Sequence, residues 1–97
     1  MIRHLVLFKL NEGVSKDEPR VAAGAQGFVE LGAKVPGVLS WETGWNVTDR
    51  PVAYDFAINS SVADQAALTA YLEHPEHQAA VAPWQEFATW VVADYEI

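Results

Sequence analysis

Ile2-Arg3-His4-Leu5-Val6-Leu7-Phe8-Lys9-Leu10 opens the chain as a run dominated by β-formers. Alternation assigns Ile2, His4, Val6, Phe8 and Leu10 to one face of a strand and Arg3, Leu5, Leu7 and Lys9 to the other. Both faces are apolar in the middle, so the strand is expected to be covered on two sides. A chain of 97 residues makes one domain, with a limited core of its own. What covers each face of this strand therefore decides the architecture.

Working outward, Asn11-Glu12-Gly13 reads as a turn. Ser15-Lys16-Asp17-Glu18 has the spacing of a capping box, with Ser15 as N-cap and Glu18 reaching back. Pro19 is tolerated in a first turn. The helix that follows is expected to run to about Lys34, with Val21, Ala25, Phe28, Leu31 and Val35 as its apolar stripe. Gly24, Gly27 and Gly32 each weaken it by up to ~1 kcal/mol relative to Ala. Either packing holds this helix, or the glycines let something approach closely.

Pro36-Gly37 ends the helix, and Val38 to Val47 reads as a second strand with Leu39, Trp41, Thr43, Trp45 and Val47 on one face. Thr48-Asp49-Arg50-Pro51 is a connecting loop. Val52 to Ser60 is the expected third strand, with Val52, Tyr54, Phe56 and Ile58 together. Ser61-Val62-Ala63-Asp64 repeats the capping logic, and a second helix runs to about Glu73 with Ala67, Leu68, Tyr71 and Leu72 inward. Pro75 disfavours helical geometry at His74 and stops it there. A short new helix is expected to start on Pro75 and to break at Pro83-Trp84. Thr89 to Ile97 is the last strand, with Trp90, Val92, Asp94 and Glu96 on one face.

The order β-α-β-β-α-β implies two crossovers joined by a hairpin. That is a ferredoxin-like α+β fold with both helices on one face of the sheet. The other face is left bare, and its apolar content asks for cover. With no residues to spare, a second copy is the simplest cover, closing two sheets into a dimeric α+β barrel with an interior. Composition agrees: the chain is 51% hydrophobic with four Trp, four Phe and three Tyr, which suggests a buried surface beyond one small core.

The net charge of −7 lacks the basic footprint that phosphates require, so nucleic acid and anionic membranes are excluded as expected partners. The absence of cysteine removes disulfides, thiolate nucleophiles and zinc–thiolate sites. The N-terminus lacks signal-peptide features, and no apolar run is long enough to span a bilayer, so a cytoplasmic protein is the expectation.

Proton-transfer chemistry concentrates in Tyr71-Leu72-Glu73-His74-Pro75-Glu76-His77, which holds two of the three histidines. Pro75 splits the segment into a helix end bearing Tyr71 and a new turn bearing His77. A helix N-terminus disfavours imidazolium, so His77 is expected to titrate below about 6.5 and to serve as a neutral base. Asp94 interrupts the apolar face of Trp90 and Val92. A carboxylate there needs a partner, and orienting a histidine is one solution; solvation near the chain end is the other. Tyr71 is either a proton donor or a hydrogen-bonded core residue. His4 is either a pocket group near Asp94 or a satisfied core histidine. His74-Pro75-Glu76-His77 matches no standard zinc spacing, and no metal site is expected. His74 reads as a helix-end residue pairing with the last carbonyls.

Met1 to Leu10, Pro36-Gly37-Val38, Gly44-Trp45-Asn46-Val47 and the His-Pro-x-His segment after the second helix together resemble the stress-responsive A/B barrel (Dabb) family over nearly the whole chain. The resemblance implies a homodimeric α+β barrel without a cofactor. One branch of that family contains plant polyketide cyclases similar to olivetolic acid cyclase. By resemblance, Tyr71 and His77 stand at the positions of that branch's acid/base pair. The cyclases carry a further histidine on the third strand, where this chain has Phe56 and Ile58. The expected site is thus His77 as base, Tyr71 as donor and Asp94 as orienter. His4, Val6, Phe8, Phe56, Ile58, Trp90 and Val92 are expected to wall a pocket in the barrel for a small apolar or aromatic ligand. A non-enzymatic stress protein with a packed barrel and a cofactor-free monooxygenase of the dimeric barrel type are the alternatives.

Overall fold

A computed structural model describes residues 1–97. The first strand, β1, spans Ile2–Leu10 and lies inside the sheet. The chain continues through helix α1 (Pro19–Leu31) and strands β2 (Val38–Trp45) and β3 (Phe56–Val62). Helices α2 (Gln65–Glu73) and α3 (Pro75–Val81) follow, then a short 3-10 helix, Ala82–Glu86, and strand β4 (Ala88–Glu96). The four strands take the order β2-β3-β1-β4, and every neighbouring pair is antiparallel. This is the ferredoxin-like arrangement expected from the order of elements.

Ile2, His4, Val6 and Phe8 are all buried and Leu10 is half-buried, which places this face of β1 under the helices. The opposite face is partly open: Leu5 is half-buried and Leu7 is 42% exposed. Val91 and Tyr95 on β4 are similarly exposed. One side of the sheet is therefore covered by this chain's helices and the other is not.

Beneath the helices, an aromatic cluster forms the centre of the core. Phe8, Phe28, Phe56 and Trp84 pack with ring centroids 4.6–6.4 Å apart. Burying each such side chain stabilises the fold by roughly 1.5–3 kcal/mol, and favourable ring geometry adds to that. Trp84 is fully buried and comes from the segment that ends α3.

Several boundaries differ from expectation, each for a local reason. Helix α1 starts at Pro19 because Glu18, as the residue before proline, is held extended. The Glu18 carboxylate does accept from the Ser15 N–H at 2.8 Å, so the box closes the preceding turn instead of capping α1. The helix ends at Leu31, short of Lys34, and Trp41 lies against Gly32. A bulge between Val38 and Ser40 takes Leu39 off the face of Trp41 and leaves it 56% exposed. Strand β3 begins at Phe56, not Val52, because residues up to Asp55 fold into a loop. That loop is tied down by the Asp55 carboxylate accepting from the Leu10 N–H at 2.7 Å. Asp64, three residues beyond Ser61, caps α2 by accepting from the Ala67 N–H. The Asn46 side chain bonds Thr48 and fixes the start of the same loop.

Candidate functional site

Antiparallel register sets His4 directly opposite Asp94 on β4. The His4 Nδ1 meets an Asp94 carboxylate oxygen in a short contact. An ionised carboxylate only accepts, so Nδ1 carries the hydrogen and Nε2 is the ring nitrogen left free for another partner. His4 is 3% exposed, which makes that partner obligatory.

Tyr71 stands at the end of α2, and is the only buried residue of that helix. One residue further, Leu72 offers its carbonyl to His77, whose Nδ1 donates to it at 3.0 Å. His77 lies in the first turn of α3 because His74, extended before Pro75, ends one helix and starts the next. The His74 ring accepts from the Glu76 N–H at 3.1 Å. Its ring therefore caps α3, while its backbone N–H donates to the Tyr71 carbonyl at 3.1 Å and closes the end of α2, the helix-end pairing expected of it.

The Tyr71 ring lies between the two imidazoles, with centroids 4.6 Å from His77 and 5.8 Å from His4. These three residues supply the polar groups of a cavity of about 220 Å³ that is otherwise lined by apolar side chains such as Val6, Phe8, Ile58 and Trp90. Burial pushes the Tyr71 phenol well above its ordinary range, so it stays protonated at neutral pH. Burial also pushes His77 below the usual imidazole value, and the nearby His4 acts in the same direction. The bond to the Leu72 carbonyl opposes both. Desolvation, more than the helix end, is thus the leading cause of a neutral His77.

The structure brings His4, Val6, Phe8, Ile58, Tyr71, His77, Trp90 and Val92 together around one cavity. Three expectations change. Asp94 orients His4 and not His77, because strand register fixes its partner while His77 turns to a backbone carbonyl. Phe56 is not a wall of this cavity; it is 2% exposed and packed between Phe28, Trp45 and Trp84. The cavity also lies between one chain's sheet and its own helices, so it is not an interior enclosed by two sheets. Phe28, Leu72 and Val81 complete the lining, although sequence periodicity marked the first two only as inward-facing. No group of three or more His, Asp or Glu is arranged to hold a metal ion. No helix is long and apolar enough to cross a membrane.

A four-stranded antiparallel sheet under one helical layer defines the ferredoxin-like α+β class. Within that class, residues 2–97 match the Stress Responsive A/B Barrel Domain, and the chain belongs to this family. An uncharacterized protein of Streptomyces coelicolor is 66% identical over 96 residues, covering 99% of both chains. Among solved structures, a dimeric ferredoxin-like protein of unknown function from Thermobifida fusca is 27% identical with a TM-score of 0.86, over 99% of this chain and 90% of that one. A Dabb family protein with a ferredoxin-like fold from Mesorhizobium loti is 26% identical with a TM-score of 0.82, over 99% of this chain and 95% of that one.

Proposed function

We propose that this protein is a homodimer in which each protomer binds a small apolar or aromatic carbonyl compound between sheet and helices, and moves protons on it with its own side chains. The observation that carries this reading is the state of the two histidines. In an otherwise apolar cavity, each has its Nδ1 committed to a fixed acceptor, and the two flank one protonated tyrosine.

The chemistry follows from that arrangement. A neutral His77 takes a proton through Nε2 from the carbon beside the ligand's carbonyl. The charge that develops on the carbonyl oxygen is met by the Tyr71 hydroxyl, a donor held in low dielectric. His4, oriented by Asp94, takes up a proton from water at Nε2, with the carboxylate facing the charge its ring gains, and is placed to return that proton to the ligand while His77 releases the one it took to solvent. This reaction class contains the cyclisations suggested by resemblance, but it does not depend on the third-strand histidine that this chain lacks.

The dimer rests on the open face of the sheet, where Leu7, Val91 and Tyr95 lie exposed, and on dimeric relatives such as the Thermobifida fusca protein.

The test is deuterium incorporation into the α-position of phenylacetone in D₂O, followed by NMR. The wild-type protein is expected to accelerate exchange, and His77→Asn and Tyr71→Phe to lose most of that acceleration. Wild-type exchange no faster than that of His77→Asn would remove the proton-transfer reading.

A further inference from the structure

We infer that the cavity's ligand is longer than the cavity: an uncharged or cationic tail runs past Leu72 into a second groove beside Asp94. This rests on the reading above and narrows its ligand class. The cavity of about 220 Å³ falls below the roughly 300–1,000 Å³ of pockets that enclose a whole small-molecule ligand. A second groove of about 280 Å³ adjoins it, and Leu72 lines both. The rest of the partition is the hydrogen-bonded pair itself, since His4 faces the cavity and Asp94 the groove. Joined, the two spaces reach the size range of a complete ligand site.

Leu72 can serve as the divider because little holds its side chain. It is 38% exposed and sits on a helix whose only buried residue is Tyr71. A rotamer change opens the partition while the Leu72 carbonyl keeps its bond to His77. The ligand's reacting carbonyl stays among the histidines and Tyr71, and the tail crosses where the leucine side chain stood.

The groove selects the tail. Its polar side chains are the carboxylates of Asp94 and Glu96, the amide of Gln65 and the hydroxyl of Thr69, with no Lys or Arg among its lining residues. Hydroxyl or ammonium tails find acceptors there. Carboxylate or phosphate tails meet like charge, and the chain's net charge of −7 acts in the same direction. A ligand delivered on a strongly anionic carrier fits this groove poorly.

Tryptophan fluorescence and NMR titrations with acetophenone and with phenyl hexyl ketones ending in hydroxyl, ammonium or carboxylate test the inference on the wild-type protein. The hydroxyl- and ammonium-ended ketones are expected to bind at least ten-fold more tightly than acetophenone, and the carboxylate-ended one no better than acetophenone. Thr69→Trp, which fills the groove at a residue that does not line the cavity, is expected to abolish the gain from the tail while leaving acetophenone binding unchanged. Glu96→Gln is expected to narrow the ammonium-over-carboxylate preference by about three-fold, the scale of one exposed charge. If acetophenone binds and shifts the ring resonances of His4 and His77 but the tails add nothing, the groove is overturned and the cavity reading stands. If no ketone of either length binds, both fall.

Discussion

Gly32→Ala is expected to destabilise the protein, although alanine is the better helix former. Gly32 has ordinary helical backbone angles, φ −58° and ψ −30°, so no conformational need for glycine exists there. The need is space. A Cβ at this position would lie 2.6 Å from the Cβ of Trp41 and closer still to its ring. Trp41 cannot yield cheaply, because its indole N–H donates to the Phe28 carbonyl at 2.9 Å and its ring packs 6.0 Å from Tyr71. Displacing a packed side chain in this way costs about 1–3 kcal/mol. Losing the indole hydrogen bond adds about 0.5–1.5 kcal/mol. The gain in helix propensity offsets up to about 1 kcal/mol, and less at a helix end. The net expectation is a loss of roughly 2 kcal/mol from these terms, or a fall in Tm of about 10 °C for a domain of this size.

Gly27→Ala is the control, because a Cβ at Gly27 meets nothing within 4 Å. It is expected to stabilise by about 0.5–1 kcal/mol. Urea unfolding at one fixed protein concentration reads both changes, with unchanged m-values as the sign that only stability moved. Pairing Gly32→Ala with Trp41→Leu removes the clash, so the double variant should lose less than the two single losses added together. The reasoning is refuted if Gly32→Ala proves as stable as Gly27→Ala, or if the two changes in the double variant simply add.

Three further outcomes are expected. An NMR titration should place the His77 midpoint below 6.5. Since the unfolded chain then binds more protons, this residue's contribution to stability is intact above about pH 6.5 and is lost as pH falls through the folded value; a midpoint above 6.5 would contradict it. Asp94→Asn replaces an acceptor-only group by one that can donate to His4 Nδ1, so exchange of phenylacetone protons should slow by about 10²-fold with the fold intact by circular dichroism; an unchanged rate would show that His4 takes no part. Leu7→Asp with Val91→Asp puts charge on the open sheet face and should give a monomer by sedimentation at micromolar concentration, whereas an unaffected dimer would place the interface elsewhere.

Much of the fold was legible because β1, the helix stripe and the prolines speak through local rules. Alternation from Ile2 to Leu10 sorted Ile2, His4, Val6 and Phe8 onto one face, the face the helices bury, and Pro75 marked the join of α2 and α3 to the residue. The glycines posed a question with two answers, and both hold: Gly24 and Gly32 admit Trp84 and Trp41, while Gly27 admits nothing. Less legible was whatever depends on pairing across the sheet. The bulge at Leu39 leaves no mark in composition. Phe56 and Ile58 share one strand face, yet only Ile58 reaches the cavity, because Trp84 arrives from a distant segment to cover Phe56. Asp94 announced its need for a partner, but two histidines were candidates and only register chooses between them.

That choice has a chemical consequence. Had Asp94 oriented His77, base and carboxylate would form one dyad and His4 would be left over. Instead each ring has its own anchor, a carboxylate for His4 and a carbonyl for His77, with Tyr71 between them. The anchors differ in kind: one meets the positive charge of a protonated ring, the other supplies only a dipole. Two unlike histidines facing one ligand can divide a proton's removal from its return, where a single dyad would have to do both in turn. Their supports also differ. His4 stands on the central strand of the sheet, whereas His77 hangs from α3, which has no buried residue, and from the thinly packed α2. The movable wall of the cavity is therefore the one that carries His77 and Leu72, and ligand entry and the placing of the base are expected to be governed by the same short pair of helices.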